Sequence, residues 1–299
     1  MRAFLEQYGI AIFVLILMAI LIAFAGPVGN IIKSATNNQV ANVDRIGTQE
    51  IEKTNVEATD SVYACLYNNG ELVLSSHEIK NKENVMIDYG KTNQHPWSGD
   101  NDSPNLTVRT VTFLDVVKLT TCRALFHCCE NLTKINNIEN LDTSECTEMT
   151  YMFGGCNNLK ILDVSHFNTS KVKDMSGMFS AASDCRNSFK YLDVSNFDTS
   201  NVVNMDYMFY GCKSLTNLDL SNFDTSKVSS ARAMFYYCTG LTDFDLTNFN
   251  TTNIRNMSAF FAHCQNLSSV KVSASWNTSN ANVTDMFIDC GIDHVTQIN

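Results

Sequence analysis

Residues 192–226 read LDVSNFDTSNVVNMDYMFYGCKSLTNLDLSNFDTS, and their first nine letters return with one substitution at residues 218–226. The two copies are 26 residues apart. Further copies align with these on a shared phenylalanine, which stands at Phe126, Phe153, Phe179, Phe209, Phe235, Phe261 and Phe287. The single irregularity is a short insertion after Phe179, which we expect to bulge as a loop. Because one such unit cannot bury its own apolar face, the repeat predicts a solenoid of stacked units.

Each unit is predicted to contain a strand followed by a helix. In residues 159–167, apolar residues alternate with Asp163 and Ser165, which is typical of a short strand that faces a core. Asp-Thr-Ser then offers turn and helix N-cap chemistry. The apolar residues that follow have helical spacing: Val202, Met205, Met208 and Phe209. We therefore expect an α/β leucine-rich-repeat solenoid of about seven 26-residue strand-helix units over residues 115–299, with strands on its concave side and helices on its convex side.

The repeated sequence resembles the bacterial surface protein 26-residue repeat, a branch of the BspA-like leucine-rich-repeat proteins. The resemblance covers about residues 115 to 299. It implies a surface or secreted protein that binds host or extracellular ligands, with adhesion the usual proposal and no shared catalytic site.

The N-terminal segment, residues 1–32, is predicted to be a transmembrane anchor or a signal segment. It carries no charge from Gln7 to Ile32, and it is apolar without a break from Ile10 to Ala25, long enough with its flanks for a membrane-spanning helix. The sequence before Gly26 also fits cleavage after Ala25, which would release a secreted protein. Either alternative exports the repeats. Residues 33–59 are polar and are expected to form a linker or stalk.

Residues 60–114 are predicted to form a small β-rich N-terminal cap that covers the first repeat unit. Two alternating apolar runs flank Asn69-Gly70, which is a strong hairpin signal. A further strand is expected within residues 106–114, LTVRTVTFL.

Composition argues against several other functions. The net charge of −10 with only 21 basic residues disfavours a nucleic-acid partner. A cysteine follows the shared phenylalanine in six units, as Cys129, Cys156, Cys212, Cys238, Cys264 and Cys290. We interpret this row as buried thiols in the core, because the spacing is not that of a metal site. No acid, base and nucleophile are expected to converge, so the sequence predicts neither an enzyme nor a cofactor.

The candidate ligand-binding residues are those that should point outward from the strands. They form an acidic and hydroxyl-rich stripe on the concave face: Asp163, Asp193, Asp219, Asp243, Asp245, Ser165, Ser195, Ser221 and Tyr191. The stripe either binds a ligand or simply keeps the surface solvated. We expect a membrane-tethered, extracellular module that binds a protein or glycan ligand, and the alternative is a structural spacer or assembly element at the cell surface.

Overall fold

The computed structural model describes residues 57–100, 102–181 and 189–298. In these residues it contains ten strands and one short 3-10 helix, and it contains no α-helix. The strands are β1 Val62–Tyr67, β2 Glu71–Ser75, β3 Val85–Thr92, β4 Thr110–Phe113, β5 Val117–Lys118, β6 Lys134–Asn136, β7 Leu141–Asp142, β8 Asp243–Leu246, β9 Ser269–Val272 and β10 Thr296–Gln297. The 3-10 helix spans Ile138–Asn140.

The segments predicted at the N-terminus fall almost wholly outside the described residues. This holds for the anchor or signal segment, 1–32, and for the linker, 33–59, up to residue 56. In the part of the chain that is described, no helix has the length and apolarity needed to cross a membrane. The loop predicted after Phe179 includes residues 182–188, which also lie outside the description.

The cap and the repeats share one sheet, with the strand order β3-β1-β2-β4-β6. The predicted hairpin is confirmed, since β1 and β2 pair in antiparallel fashion on either side of Gly70, whose positive φ of 82° suits the tight turn. The strand predicted within residues 106–114 is also confirmed as β4. Strand β2 pairs with β4 in parallel, and β4 pairs with β6 in parallel, so the first coils of the solenoid extend the sheet that the hairpin begins.

The predicted repeat helices are wrong. In residues 175–181 every second N–H donates to a carbonyl of the next coil rather than to its own turn: Met175 to Asn204, Gly177 to Asp206, Phe179 to Met208 and Ala181 to Tyr210. The intervening N–H groups donate within their own coil, as the Met178 N–H does to the Met175 carbonyl at 3.2 Å. An α-helix would use all of these donors within the segment, so the structure is a β-solenoid of about seven turns and not a stack of strand-helix units.

A left-handed residue recurs in each turn segment and prevents helix formation. The residue two before the shared phenylalanine has a positive φ, 61° at Gly177, 59° at Tyr207 and 51° at Ala233. Such a residue cannot continue a right-handed helix. Because the helices are absent, the predicted division into a concave strand side and a convex helix side is wrong as well.

The apolar pattern nevertheless identified the core correctly. The repeated methionines and phenylalanines are buried, except that Phe287 on the last described coil is half-buried. The phenylalanines of successive coils stack, as Phe209 and Phe235 do with ring centroids 5.7 Å apart. Burial of one such side chain contributes roughly 1.5–3 kcal/mol. A stack along the solenoid axis therefore supplies much of the apolar stabilisation that a single coil could not provide.

Candidate functional site

Three rows of side chains form what we call the outward face. The first row is Ile161, Tyr191, Asn217, Asp243 and Ser269; the second is Asp163, Asp193, Asp219, Asp245 and Lys271; the third is Ser165, Ser195, Ser221, Thr247 and Ser273. Their register is given by the parallel bridge from Tyr191 to Asn217 and by the pairing of β8 with β9, in which Asp245 lies opposite Lys271. Neighbouring coils in such a stack lie roughly 4.8 Å apart.

The alternation predicted for residues 159–167 is present without a regular strand. Val164 is 1% exposed and points inward, whereas Asp163 and Ser165 are exposed. A regular strand forms at the equivalent position in β8 and β9. The candidate residues are therefore displayed together on one face, on backbone that forms regular strands only in β8 and β9.

Each aspartate of the second row closes a local turn with the third row. Oδ1 of Asp193 accepts hydrogen bonds from the Ser195 backbone N–H at 3.0 Å and from the Ser195 hydroxyl at 2.7 Å. Asp245 makes the same two contacts with Thr247. Asp163 and Asp219 each accept the backbone N–H of the serine two residues on. These are Asx turns, so the carboxylates bend the chain in addition to charging the surface.

Hydrogen bonding favours the ionised form of these carboxylates. The Ser195 side chain and then its backbone N–H lower the pKa of Asp193, and Ser165 and Thr247 do the same for Asp163 and Asp245. For Asp219 the larger cause is the Ser221 backbone N–H. Repulsion from Asp193 and Asp245 acts against this lowering at Asp219, because like charges stand on both neighbouring coils.

Asp243 belongs to the first row and contacts the following coil instead. Its Oδ1 accepts hydrogen bonds from the hydroxyls of Ser269 at 2.7 Å and Ser268 at 3.1 Å, which lower its pKa. A shallow depression between two coils runs beside it and is lined by Asp219, Asp245 and Asn217. This is the most acidic part of the outward face.

Two large apolar side chains mark the other end of the face. Ile161 is 84% exposed and Tyr191 is 63% exposed, and they occupy the first row on coils that are consecutive in the repeat. The Tyr191 hydroxyl reaches Oδ2 of Asp193 at 3.5 Å. Phe244, which follows Asp243 of the first row, points inward instead and is 5% exposed.

The cysteine row lies in the core, except for Cys290 at its end, which is half-buried. The Cys212 thiol donates to the Phe179 carbonyl at 3.3 Å, and the Cys264 thiol donates to the Phe235 carbonyl at 2.9 Å. Burial raises the pKa of the Cys264 thiol to about 12. Within the described ranges no disulfide forms, and no group of three or more His, Cys, Asp or Glu side chains could hold a metal ion.

One surface feature was not singled out from the sequence. Half-buried aromatic side chains on neighbouring coils stack beside the shared phenylalanines: Tyr210 on Tyr236 with centroids 4.9 Å apart, and Tyr237 on His263 at 4.4 Å. The Lys213 ammonium lies 4.9 Å from the Tyr237 ring centroid. The available signal was the tyrosine next to the phenylalanine in MFYGC and MFYYC.

Together the coils define a β-solenoid repeat protein with a polar, acidic outward face. A family described as Mycoplasma protein of unknown function, DUF285, matches residues 100–196 and 183–294, which is more than half of the chain. The chain therefore belongs to this family. The match supports the coarser part of the resemblance: the chain belongs to a family of repeat proteins, and its repeats form a solenoid. No curated protein and no solved structure matches the chain.

Proposed function

We propose that this protein is a surface-displayed solenoid that binds an extracellular protein or glycan ligand through its outward face. The observation that carries the proposal is the pairing of two exposed apolar side chains, Ile161 and Tyr191, with a row of ionised aspartates. An exposed apolar patch rimmed by polar residues is a common feature of interaction sites. The face has no set of groups suited to catalysis, and we propose binding without turnover.

The charge of the face favours a ligand with cationic groups. Oδ1 of Asp193, Asp219 and Asp245 serves the Asx turns, whereas Oδ2 of Asp219 and Asp245 accepts no hydrogen bond from the described residues. A lysine or arginine side chain of a protein ligand could approach these oxygens, and an apolar side chain could cover Ile161 and Tyr191. Lys271 ends the acidic row, so the complementary region is limited to four coils.

We further propose that the apolar segment of residues 10–28 tethers the solenoid to the cell membrane, with the repeats outside the cell. The support is the uninterrupted apolar run from Ile10 to Ala25, which has the length that a bilayer requires. If the segment is cleaved after Ala25, the same recognition module is secreted.

The test compares two sets of aspartates that have the same local chemistry. The full chain in detergent micelles is assayed against extracellular-matrix proteins, glycans and intact host cells. The variant carries Asp193→Asn, Asp219→Asn and Asp245→Asn, which keep an Oδ1 acceptor for the turns. The control carries Asp198→Asn and Asp224→Asn, which lie in an equivalent row of Asx turns outside the outward face.

Loss of binding in the variant but not in the control, with both folded, supports the proposal. Binding that is unaffected by either set places the ligand elsewhere and rejects the outward face. An Ile161→Ser and Tyr191→Ser variant tests the apolar contribution separately, because neither side chain is buried in the core.

A structural spacer is the second candidate, and one observation favours it. Every aspartate of the second row already has a role in turning the chain, so the charge row needs no ligand to explain it. If the folded wild type binds no matrix protein, glycan or cell, the spacer becomes the better explanation.

A further inference from the structure

Two cysteines near the cap depart together from the repeat pattern. Cys122 stands four residues before the shared phenylalanine, a position that methionine occupies in other units: Met149, Met175, Met205 and Met257. Cys146 stands seven residues before it, a position that aliphatic side chains occupy in later units: Val172, Val202, Val228 and Ile254. All of these side chains are buried. Both cysteines therefore occupy core positions at which the repeat does not otherwise use a thiol.

The two thiols meet between the first and the second coil. The Cys122 N–H donates to the Glu148 carbonyl at 2.9 Å. The Thr147 N–H donates to the Thr120 carbonyl, also at 2.9 Å, so the two coils lie side by side here. A side-chain hydrogen bond joins Cys122 to Cys146. Neighbouring coils lie roughly 4.8 Å apart, which is within the Cα separation of about 4.4–6.8 Å that a disulfide spans.

The thiols of the cysteine row point elsewhere. The Cys212 thiol donates to the Phe179 carbonyl, and burial is the cause that raises its pKa. The thiols of the next two coils also donate to backbone carbonyls, Cys238 to Phe209 and Cys264 to Phe235. The contact between Cys122 and Cys146 is therefore not a consequence of stacking equivalent cysteines. It arises because two different positions of the repeat carry cysteine on adjacent coils.

We propose that Cys122 and Cys146 are an oxidation site, at which a disulfide joins the first coil, beside the cap, to the second coil. The oxidant is another disulfide, RSSR. One cysteine thiolate attacks it, forms a mixed disulfide and releases RS⁻; the other cysteine thiolate then attacks the cysteine sulfur of the mixed disulfide and releases the second RS⁻. The two protons that the cysteines lose protonate the two leaving thiolates. One disulfide is thus reduced for each one that forms.

Burial determines when this exchange can take place. Both side chains are 0% exposed, and the hydrogen bond with Cys146, together with burial, raises the pKa of Cys122 well above its ordinary value. Exchange requires a thiolate and access to the oxidant, so it takes place while the coils assemble and not in the closed core. Disulfides persist in oxidising environments outside the cell, which agrees with the location proposed for the repeats.

The bond would stabilise the cap-proximal end of the solenoid. It closes the chain from residue 122 to residue 146 into a loop, which restricts the unfolded state more than the folded one. The midpoint of thermal unfolding is expected to be roughly 5–10 °C higher in the oxidised protein than in the reduced protein.

Peptide mapping tests the site directly. The full chain in detergent micelles is unfolded with urea and a reducing agent, and it is then refolded with oxidised glutathione in excess. Remaining thiols are blocked with iodoacetamide in denaturant, and the unreduced protein is digested with trypsin. We expect the peptide 119–123, LTTCR, to be linked to the peptide 135–160, with fragmentation locating the bond at Cys146 and not at Cys156.

Two variants connect the bond to stability. Cys146→Val introduces the residue of later units and should abolish both the link and the difference between the oxidised and reduced midpoints. Cys212→Ala removes a buried thiol outside the pair and should retain both.

The proposal is overturned if Cys122 and Cys146 are both alkylated after refolding of the wild type, or if Cys122 is linked to another cysteine. A midpoint that depends equally on oxidation in Cys146→Val and in wild type also overturns it. If a variant fails to fold, the peptide map of the wild type decides alone. Ligand binding by the outward face has its own experiment, so either proposal can fail without the other.

Discussion

The hydroxyl of Thr199 forms two hydrogen bonds with the backbone of Asp224 on the next coil. It accepts from the Asp224 N–H at 2.8 Å and donates to the Asp224 carbonyl at 3.0 Å. The same pair of contacts recurs along the stack between Thr143 and Asn168, Thr169 and Asp198, Thr225 and Asn250, and Thr251 and Asn277. These threonines are at most 2% exposed, so a row of buried hydroxyls joins the coils alongside the apolar core.

Thr199→Val should destabilise the protein. Valine has the same shape, but it leaves the N–H and the carbonyl of Asp224 without a partner, at a cost of roughly 1–3 kcal/mol for each buried group that stays unsatisfied. The expected result is a lower midpoint in urea unfolding. Thr216→Val is the matched control, because Thr216 is exposed, and its midpoint should stay near that of wild type. Equal midpoints for the two variants would contradict a structural role for the threonine row.

Gly177→Ala should also destabilise the protein, and Tyr151 is the reason. Gly177 has a φ of 61°, and a Cβ there would meet the Tyr151 ring 2.1 Å away. The left-handed conformation alone is tolerable, because Ala233 adopts it in an equivalent unit. The clash should therefore account for most of the loss.

A double-mutant cycle separates the two causes. The change in unfolding free energy caused by Gly177→Ala is measured in wild type and in a Tyr151→Ala background. The loss should fall to about 1 kcal/mol, the cost of the left-handed backbone, once the ring is gone. The same large loss in both backgrounds would show that the backbone conformation, not the ring, requires glycine.

The sequence predicted the repeat, the core residues and the cap hairpin, but not the conformation of the turn segments. Burial at Val202, Met205, Met208 and Phe209 has the spacing of an amphipathic helix, and the structure buries all four. What excludes the helix is the positive φ of Tyr207 and the donation of alternate N–H groups to the next coil. Neither feature changes the spacing of the apolar residues. The only signal of a left-handed backbone in the sequence was glycine at positions such as Gly177 and Gly211.

Acid should destabilise the solenoid through the aspartates of the outward face. The pKa values of Asp193, Asp219 and Asp245 lie below the ordinary value of 3.8, because hydrogen bonds favour the ionised form. A lowered folded-state pKa contributes stability that is present above the unfolded-state pKa and is lost as the pH falls through the folded-state pKa. The loss should therefore appear below about pH 4.

The measurement is the urea midpoint of unfolding between pH 6 and pH 2. The variant with Asn at all three positions keeps the Oδ1 acceptors but cannot titrate there, so its midpoint should depend less on pH than that of wild type. The variant with Asn at 198 and 224 should show a similar partial flattening, since the pKa values of Asp198 and Asp224 are also lowered by neighbouring serines. Parallel pH profiles for wild type and both variants would reject this source of stability.

The sequence predicted which residues share the outward face, but not the hydrogen bonds that their side chains form. In-register spacing of Asp163, Asp193, Asp219 and Asp245 was enough to place them in one row. Their turn-forming hydrogen bonds were missed, although Asp-x-Ser is itself a turn signature.

The buried cysteines should resist alkylation until the protein unfolds. Cys212 is 0% exposed and its thiol pKa is raised by burial, so at pH 8 it presents little thiolate and no access. Cys290 is half-buried on the last described coil, and its thiol should react before that of Cys212. The test is iodoacetamide labelling of the full chain in detergent micelles, followed residue by residue with mass spectrometry. The control is the same reaction in guanidinium, where both thiols should react at similar rates. Native labelling of Cys212 at the rate of Cys290 would mean that the coils separate far more readily than their packing allows.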